Sequence, residues 1–235
     1  MNAFEIAQTI DHAVLHPTTG TEELEHAVRM VEEWQVFSLC VKPCHTGLAS
    51  KLLNGTDVKV STVLSFPHGN TTISMKKHEA LEILNEGADE IDMVINQAEA
   101  KRQNWSYLRD EIGTINNICV DQGALLKVIF ENDFISNDEV KIGLCKICTE
   151  LKVGFVKTST GFGYTKQENG DYNYKGATVS DIQLMLDHTS PPVKVKASGG
   201  IRDLETAIKY LNMGVSRLGT SSTIKILAEA REKQT

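Results

Sequence analysis

The chain has 235 residues, enough to bury one substantial core, and its 24 Lys plus Arg against 31 Asp plus Glu leave a formal charge of −7. That balance repels nucleic acid and anionic membrane surfaces, so neither is an expected partner and a small molecule fits better. Five cysteines, no run of 18 apolar residues, and a start (Met1-Asn2-Ala3-Phe4-Glu5) without an export signal lead to the expectation of reduced thiols in a soluble, cytoplasmic protein.

Short Val- and Ile-rich runs alternate with longer amphipathic stretches along the whole chain. The first strand is expected at Ile10 to Val14, followed by a helix at 21–34 that opens on Thr21-Glu22-Glu23. Ser38 to Lys42 then precedes a helix at 45–53, Val58 to Ser65 one at 72–86, and Glu90 to Ile95 one at 104–121. Leu125 to Phe130 leads into 137–152, and Phe155 to Lys157 into 178–188. Val193 to Ala197 leads into 203–213, with Asp203 as a first-turn acid, and Arg217 to Gly219 into 221–232. Eight strand–helix units predict an α/β fold of the (β/α)₈ or TIM-barrel type, as one domain over residues 1–235. The competing architecture is an open doubly wound sheet. It would bind a nucleotide on a Gly-rich first turn, and Leu15-His16-Pro17-Thr18-Thr19-Gly20 lacks that fingerprint. The longest loop runs from Thr158 to Gly176, a length usually reserved for function or mobility.

Alternate residues of a barrel strand point inward, and chemistry sits at the strands' C-terminal ends. In the fourth strand Ile91, Met93 and Ile95 share the face that packs on helices, which turns Asp92, Val94 and Asn96 inward. The same parity turns Lys127 inward with Leu125 and Ile129, ends the sixth strand on Lys157, and brings Lys196 to the catalytic end of the seventh. Three lysines and one aspartate therefore converge. Such a cluster is either a paired network that fills the barrel or a reactive one, and burying unpaired charge without a use is costly. Two close lysines have a chemical purpose: a lysine at its reference pKa is only roughly 0.04% neutral at pH 7, and only the neutral amine is a nucleophile. A neighbouring ammonium and desolvation both enlarge that fraction.

Gly199 and Gly200, with Arg202, follow the seventh strand, and Gly219, Ser221 and Ser222 close the eighth. Loops in these two places of a barrel frequently cradle phosphate through backbone N–H groups at a helix start, and Arg202 adds a charged fork.

Ile10-Asp11-His12, Leu39-Cys40-Val41, Gly87 through Asn96, Leu126-Lys127-Val128-Ile129, Phe155-Val156-Lys157-Thr158-Ser159-Thr160-Gly161 and Val195-Lys196-Ala197-Ser198-Gly199-Gly200 carry a resemblance. Over about Ile10 to Ser222 the chain resembles the deoxyribose-phosphate aldolases. The resemblance implies a class I, Schiff-base aldolase that reversibly splits 2-deoxy-D-ribose 5-phosphate into acetaldehyde and D-glyceraldehyde 3-phosphate, without metal or other cofactor. It implies Lys157 as the Schiff-base lysine and Asp92 with Lys196 as the proton donor/acceptor pair. Lys127, Asp11, Cys40, Thr158 and Thr160 take supporting places, with Lys127 orienting Asp92 and the two threonines bonding intermediates. Gly161 joins the phosphate-binding set. The partners implied are a phosphorylated sugar and an aldehyde, and assembly as a dimer or larger homo-oligomer is common among relatives.

The chain departs from the family after Gly161-Phe162, where Gly163 to Lys175 intervenes before Gly176-Ala177-Thr178. Two readings fit this insert: an element that closes over substrate or meets a subunit neighbour, and an exposed polar hairpin. The insert bears on the natural substrate more than on the reaction type, so an aldolase of this family with a shifted donor or acceptor stands as an alternative. A non-catalytic sugar-phosphate-binding barrel is the alternative from another class. Cys145 and Cys148 have CxxC spacing within a helical pattern and read as buried thiols rather than metal ligands.

Overall fold

A computed structural model describes residues 1–233; Gln234 and Thr235, the last two of the expected domain, lie outside the described residues. The chain begins with a short helix, α1 (Ala3–Ala7), which the hydrophobic pattern did not single out and which Asn2 caps through a reciprocal pair with Glu5. There follow β1 (Ile10–Val14), α2 (Thr21–Glu33), β2 (Ser38–Val41), α3 (Thr46–Leu52), β3 (Lys59–Leu64), α4 (Ile73–Asn85) and β4 (Glu90–Val94). The middle of the chain forms α5 (Gln97–Lys101), α6 (Trp105–Asp121), β5 (Leu125–Ile129), α7 (Asp138–Glu150) and β6 (Phe155–Lys157). A small hairpin, β7 (Thr165–Lys166) and β8 (Tyr172–Asn173), precedes α8 (Val179–His188), β9 (Lys194–Ser198), α9 (Leu204–Asn212), β10 (Arg217–Thr220) and α10 (Thr223–Glu232).

Eight strands, all parallel, close into a barrel in the order β1-β10-β9-β6-β5-β4-β3-β2, with β7 and β8 forming a separate antiparallel pair. This is the TIM barrel that the strand–helix count predicts. The hydrophobic core lies between strands and helices. Ile91 and Met93 on the outer face of β4 and Leu108, Ile112 and Ile115 on α6 are all fully buried in one cluster. Helix starts are fixed by side-chain caps: Thr72 on Met75 N, Asn137 on Glu139 N, and Asp203 on Thr206 N. Among the described residues no helix is long and apolar enough to cross a membrane.

Candidate active site

Strand parity places a chain of charges inside the barrel. On β4, Glu90 and Asp92 alternate with the outward Ile91 and Met93, and all four are buried. The parallel register then sets partners side by side: Asp92 lies opposite Lys127 on β5, and Lys157 on β6 lies opposite Lys196 on β9. Arg217 on β10 lies opposite Lys196 on the other side. Gly219 on β10 lets Lys196 through, because a Cβ there would stand 2.7 Å from Ser198 Cβ and 3.2 Å from Lys196 Cε.

Toward the N-terminal end of the barrel the charges are closely compensated. Arg217 donates to Asp11 Oδ1 at 2.6 Å and to Glu90 Oε2 at 3.0 Å, with its guanidinium stacked 3.7 Å from the Phe37 ring. Lys127 Nζ meets Glu90 Oε2 at 2.7 Å, Asp92 Oδ1 at 2.7 Å, Asp11 Oδ2 at 3.1 Å and the Ser61 hydroxyl at 2.8 Å. Ser38 and Ser61 donate to Asp11 and Asp92 and occupy their remaining lone pairs.

Toward the C-terminal end one carboxylate oxygen is shared. Asp92 Oδ2 accepts from Lys157 Nζ and from Lys196 Nζ, both at 2.7 Å, and Lys196 also donates to Asp11. Among the described residues Lys157 has no other hydrogen-bond partner. Four cations (Lys127, Lys157, Lys196, Arg217) meet three carboxylates (Asp11, Glu90, Asp92), so one cation is in excess.

The electrostatics single out which cation it is. Burial pushes the Lys157 amine below the usual lysine range, and the Lys196 ammonium pushes it the same way against the pull of Asp92. Burial also works against Lys127, yet Asp11, Asp92 and Glu90 outweigh it and hold that ammonium well above the ordinary value. Burial would raise the Asp92 carboxyl, but Lys127, Lys157 and Lys196 together hold it well below the usual carboxylate range. Asp11 is lowered in the same way by Lys127, Lys196 and Arg217. Burial and a neighbouring ammonium thus shift Lys157 toward the neutral, nucleophilic form. Sequence reasoning put the nearby lysine beside desolvation as a cause; in the structure burial is the larger.

A cavity of about 790 Å³ opens at the C-terminal mouth, with Lys157, Lys196, Asp11 and Cys40 in its wall. The phosphate-binding candidates Gly161, Gly199, Gly200, Arg202, Gly219, Ser221 and Ser222 line the same cavity, the two serines directly before α10. Thr160 lines it too; its hydroxyl donates to Glu131 and accepts from Phe162 N at 2.9 Å. Of the predicted site residues Asp92, Lys127 and Thr158 are not in that wall, and Thr158 is engaged elsewhere. Its hydroxyl donates to Ser198 O and accepts from Ser198 N, both at 3.0 Å, so it ties β6 to β9 and does not reach the cavity wall as a bonding partner for intermediates.

The structure adds residues that the sequence reading passed over. Glu90 and Arg217 complete the charge network, and Glu90 has the same parity as Asp92, two residues on, which was the available signal. Glu131, just past β5, is buried with Oε1 unpartnered, and burial pushes its carboxyl up to about 7. Tyr174 was not passed over in the same way, since the tyrosines of the inserted segment were among the residues that could close over substrate, and it lines the cavity beside Arg202. Cys145 and Cys148 are free and buried in α7, and no cluster of three or more metal-ligating side chains occurs among the described residues.

Comparison with known proteins extends this geometry. Residues 5–220 match the DeoC/LacD family of aldolases. A deoxyribose-phosphate aldolase of Clostridium kluyveri is 44% identical over 227 residues, covering 97% of this chain and 99% of that protein. One of Rhodopirellula baltica is 40% identical over 229 residues, covering 97% and 90%. Among solved structures, the tetrameric deoxyribose phosphate aldolase of Aeropyrum pernix superposes with a TM-score of 0.86 at 27% identity, covering 99% of this chain and 93% of that one.

Proposed function

We propose, on the premise that the chain belongs to the DeoC/LacD family of aldolases, that it reversibly cleaves 2-deoxy-D-ribose 5-phosphate to acetaldehyde and D-glyceraldehyde 3-phosphate. The observation that carries the mechanism is the buried Lys157 amine, lowered in pKa, with Asp92 Oδ2 at 2.7 Å shared with Lys196. The relatives named above support the substrate.

Neutral Lys157 attacks C1 of the open-chain sugar and gives a carbinolamine. Lys196 donates the proton with which the hydroxyl leaves as water, and an iminium remains on Lys157. The proton of the C3 hydroxyl then passes to the Asp92–Lys196 pair as the C2–C3 bond breaks, and the electron pair of that bond moves into the enamine. Glyceraldehyde 3-phosphate departs. Protonation of the enamine at C2 and hydrolysis release acetaldehyde and restore the amine. Lys127 holds Asp92 in place from its other oxygen, and the glycine turns with Arg202, Ser221 and Ser222 seat the phosphate.

We place this reaction in the breakdown of deoxyribose phosphates in the cytoplasm, where five free thiols are at home. Assembly into an oligomer belongs to the same proposal, on the footing of the tetrameric relative.

The test is steady-state turnover of deoxyribose 5-phosphate by wild type and Lys157→Ala, which should differ by at least about 10⁴-fold in kcat. Borohydride added with acetaldehyde should leave an ethyl group on Lys157, and active enzyme unmodified at Lys157 would overturn the covalent mechanism.

A further inference from the structure

The hairpin of β7 and β8 stands outside the barrel sheet, paired only with itself through Thr165 with Asn173 and Lys166 with Tyr172. Both of its roots are nevertheless fastened to the mouth of the barrel. At the first root, Gly163 passes so near the buried Glu131 that a Cβ would stand 2.7 Å from Glu131 Oε1. Glu131 in turn accepts from Thr160 N at 3.1 Å. At the second root, Asp133 accepts from Lys175 N at 2.6 Å and from Gly176 N at 2.9 Å. Gly176 has φ +68 and lies so close to Gly199 that a Cβ would be 2.4 Å from Gly199 O, and Ala177 N donates to that same carbonyl at 3.0 Å. The insert is therefore fixed on one side to the loop after β5 and on the other to the Gly199-Gly200 turn.

That fixation delivers one side chain to the cavity. Tyr174 forms part of its wall, and the Tyr174 hydroxyl accepts from Arg202 Nη2 at 3.3 Å. The Tyr164 ring braces it edge-on, with centroids 5.0 Å apart and planes at 68°. A phenol that accepts from a guanidinium keeps its own O–H for another acceptor. A phosphate oxygen held by Arg202 is such an acceptor.

Resting on the functional reading above, we infer that Tyr174 is a specificity residue for a terminal phosphomonoester. Its oxygen holds the Arg202 guanidinium at the cavity rim, and its proton goes to the phosphate that Arg202 binds. The inserted hairpin is the device that carries it there.

Tyr174→Phe removes the hydroxyl and keeps the ring on Tyr164. Two measurements read the effect: the affinity for inorganic phosphate by calorimetry, and kcat and KM for 2-deoxyribose 5-phosphate beside unphosphorylated 2-deoxyribose. The expected result is about tenfold weaker phosphate binding and a KM raised by about tenfold, with kcat within about twofold. Turnover of the unphosphorylated sugar should be unchanged. In an Arg202→Ala background Tyr174→Phe should cost much less than alone, since the two groups act on one phosphate. Tyr172→Phe, on the same hairpin with a two-thirds exposed side chain, should change none of these quantities. Equal losses on both sugars, unchanged phosphate affinity, or additive effects with Arg202→Ala would overturn the inference. The two proposals fail separately. Wild type that binds phosphate in a Tyr174-dependent way without turnover overturns the functional reading and supports this one; turnover indifferent to Tyr174 does the reverse.

Discussion

Lys76 and Lys157 are both buried lysines facing a carboxylate, at 2.8 Å from Glu111 and 2.7 Å from Asp92. Lys76 sits in the helix shell, where Glu111 Oε1 belongs to it and Val94 O accepts a second bond at 2.6 Å. The other Glu111 oxygen takes Asn96 N at 3.1 Å. One cation meets one carboxylate, the remaining polar groups are occupied, and the pair locks α4 and α6 to the end of β4. Lys157 shares its single carboxylate oxygen with Lys196 and opens on a cavity. Burial lowers both amines, so burial alone does not set Lys157 apart. What separates them is competition for the counter-charge and room for a substrate beside the nitrogen.

The sharpest way to break the comparison is to give Lys157 the exclusive partner that Lys76 has. Lys196→Met leaves Asp92 Oδ2 to Lys157 alone. On the proposed mechanism, in which Lys196 is the proton donor, turnover should fall by about 10³-fold. The pH at which acetaldehyde and borohydride trap Lys157 should rise, because the repulsion that helps to lower its pKa is gone. A trapping profile that stays in place would mean that Lys196 has no part in activating Lys157.

The complementary change is made in the shell. Lys76→Met strands Glu111 without its cation, and unfolding by denaturant should show a loss of about 3–5 kcal/mol. Turnover by the folded fraction should change little. Replacing both partners, Lys76→Met with Glu111→Leu, should recover most of that stability, since the desolvation of two charges is avoided. A stability loss without recovery would point to packing rather than charge.

The charge cluster inside the barrel was more legible in the sequence than the Lys76–Glu111 pair, and the reason is geometric. Strand alternation has a period of two, so Asp92, Lys127, Lys157 and Lys196 could each be assigned to the barrel interior from a few neighbours, and register did the rest. Lys76 and Glu111 sit on helices 35 positions apart, and their meeting depends on how α4 packs on α6, which no local pattern encodes. Glu90 had the right parity but begins its strand, and Arg217 stands first in β10, so each has strand neighbours on one side only from which to read a face. The short α1 and α5, of five residues each, carry too few apolar positions to set a helical period. Within 163–175 the alternation is polar on both faces, so the hairpin could be offered only as one of two readings. The contact between Tyr174 and Arg202 is a tertiary fact.

Glu131 gives a smaller test, and it stands between the two extremes: buried like Lys76, beside the mouth like Lys157, and without any cation as a direct partner. Burial is the main cause that pushes its carboxyl from 4.5 up to about 7, and nearby Asp133 adds to it, against the bonds from Thr160 and the more distant Lys157. In the native state the proton is therefore kept up to about pH 7, while the unfolded chain releases it near 4.5. The contribution of this group to stability is complete below pH 4.5 and is lost as the pH rises through about 7. Glu131→Gln removes the titration and still offers an oxygen to Thr160 N. The variant should be more stable than wild type above pH 7, by about 3 kcal/mol, and the difference should shrink toward pH 5. A difference in unfolding free energy that stays constant from pH 5 to pH 8 would show that Glu131 is ionised throughout, held by Thr160 and Lys157 more strongly than burial opposes it.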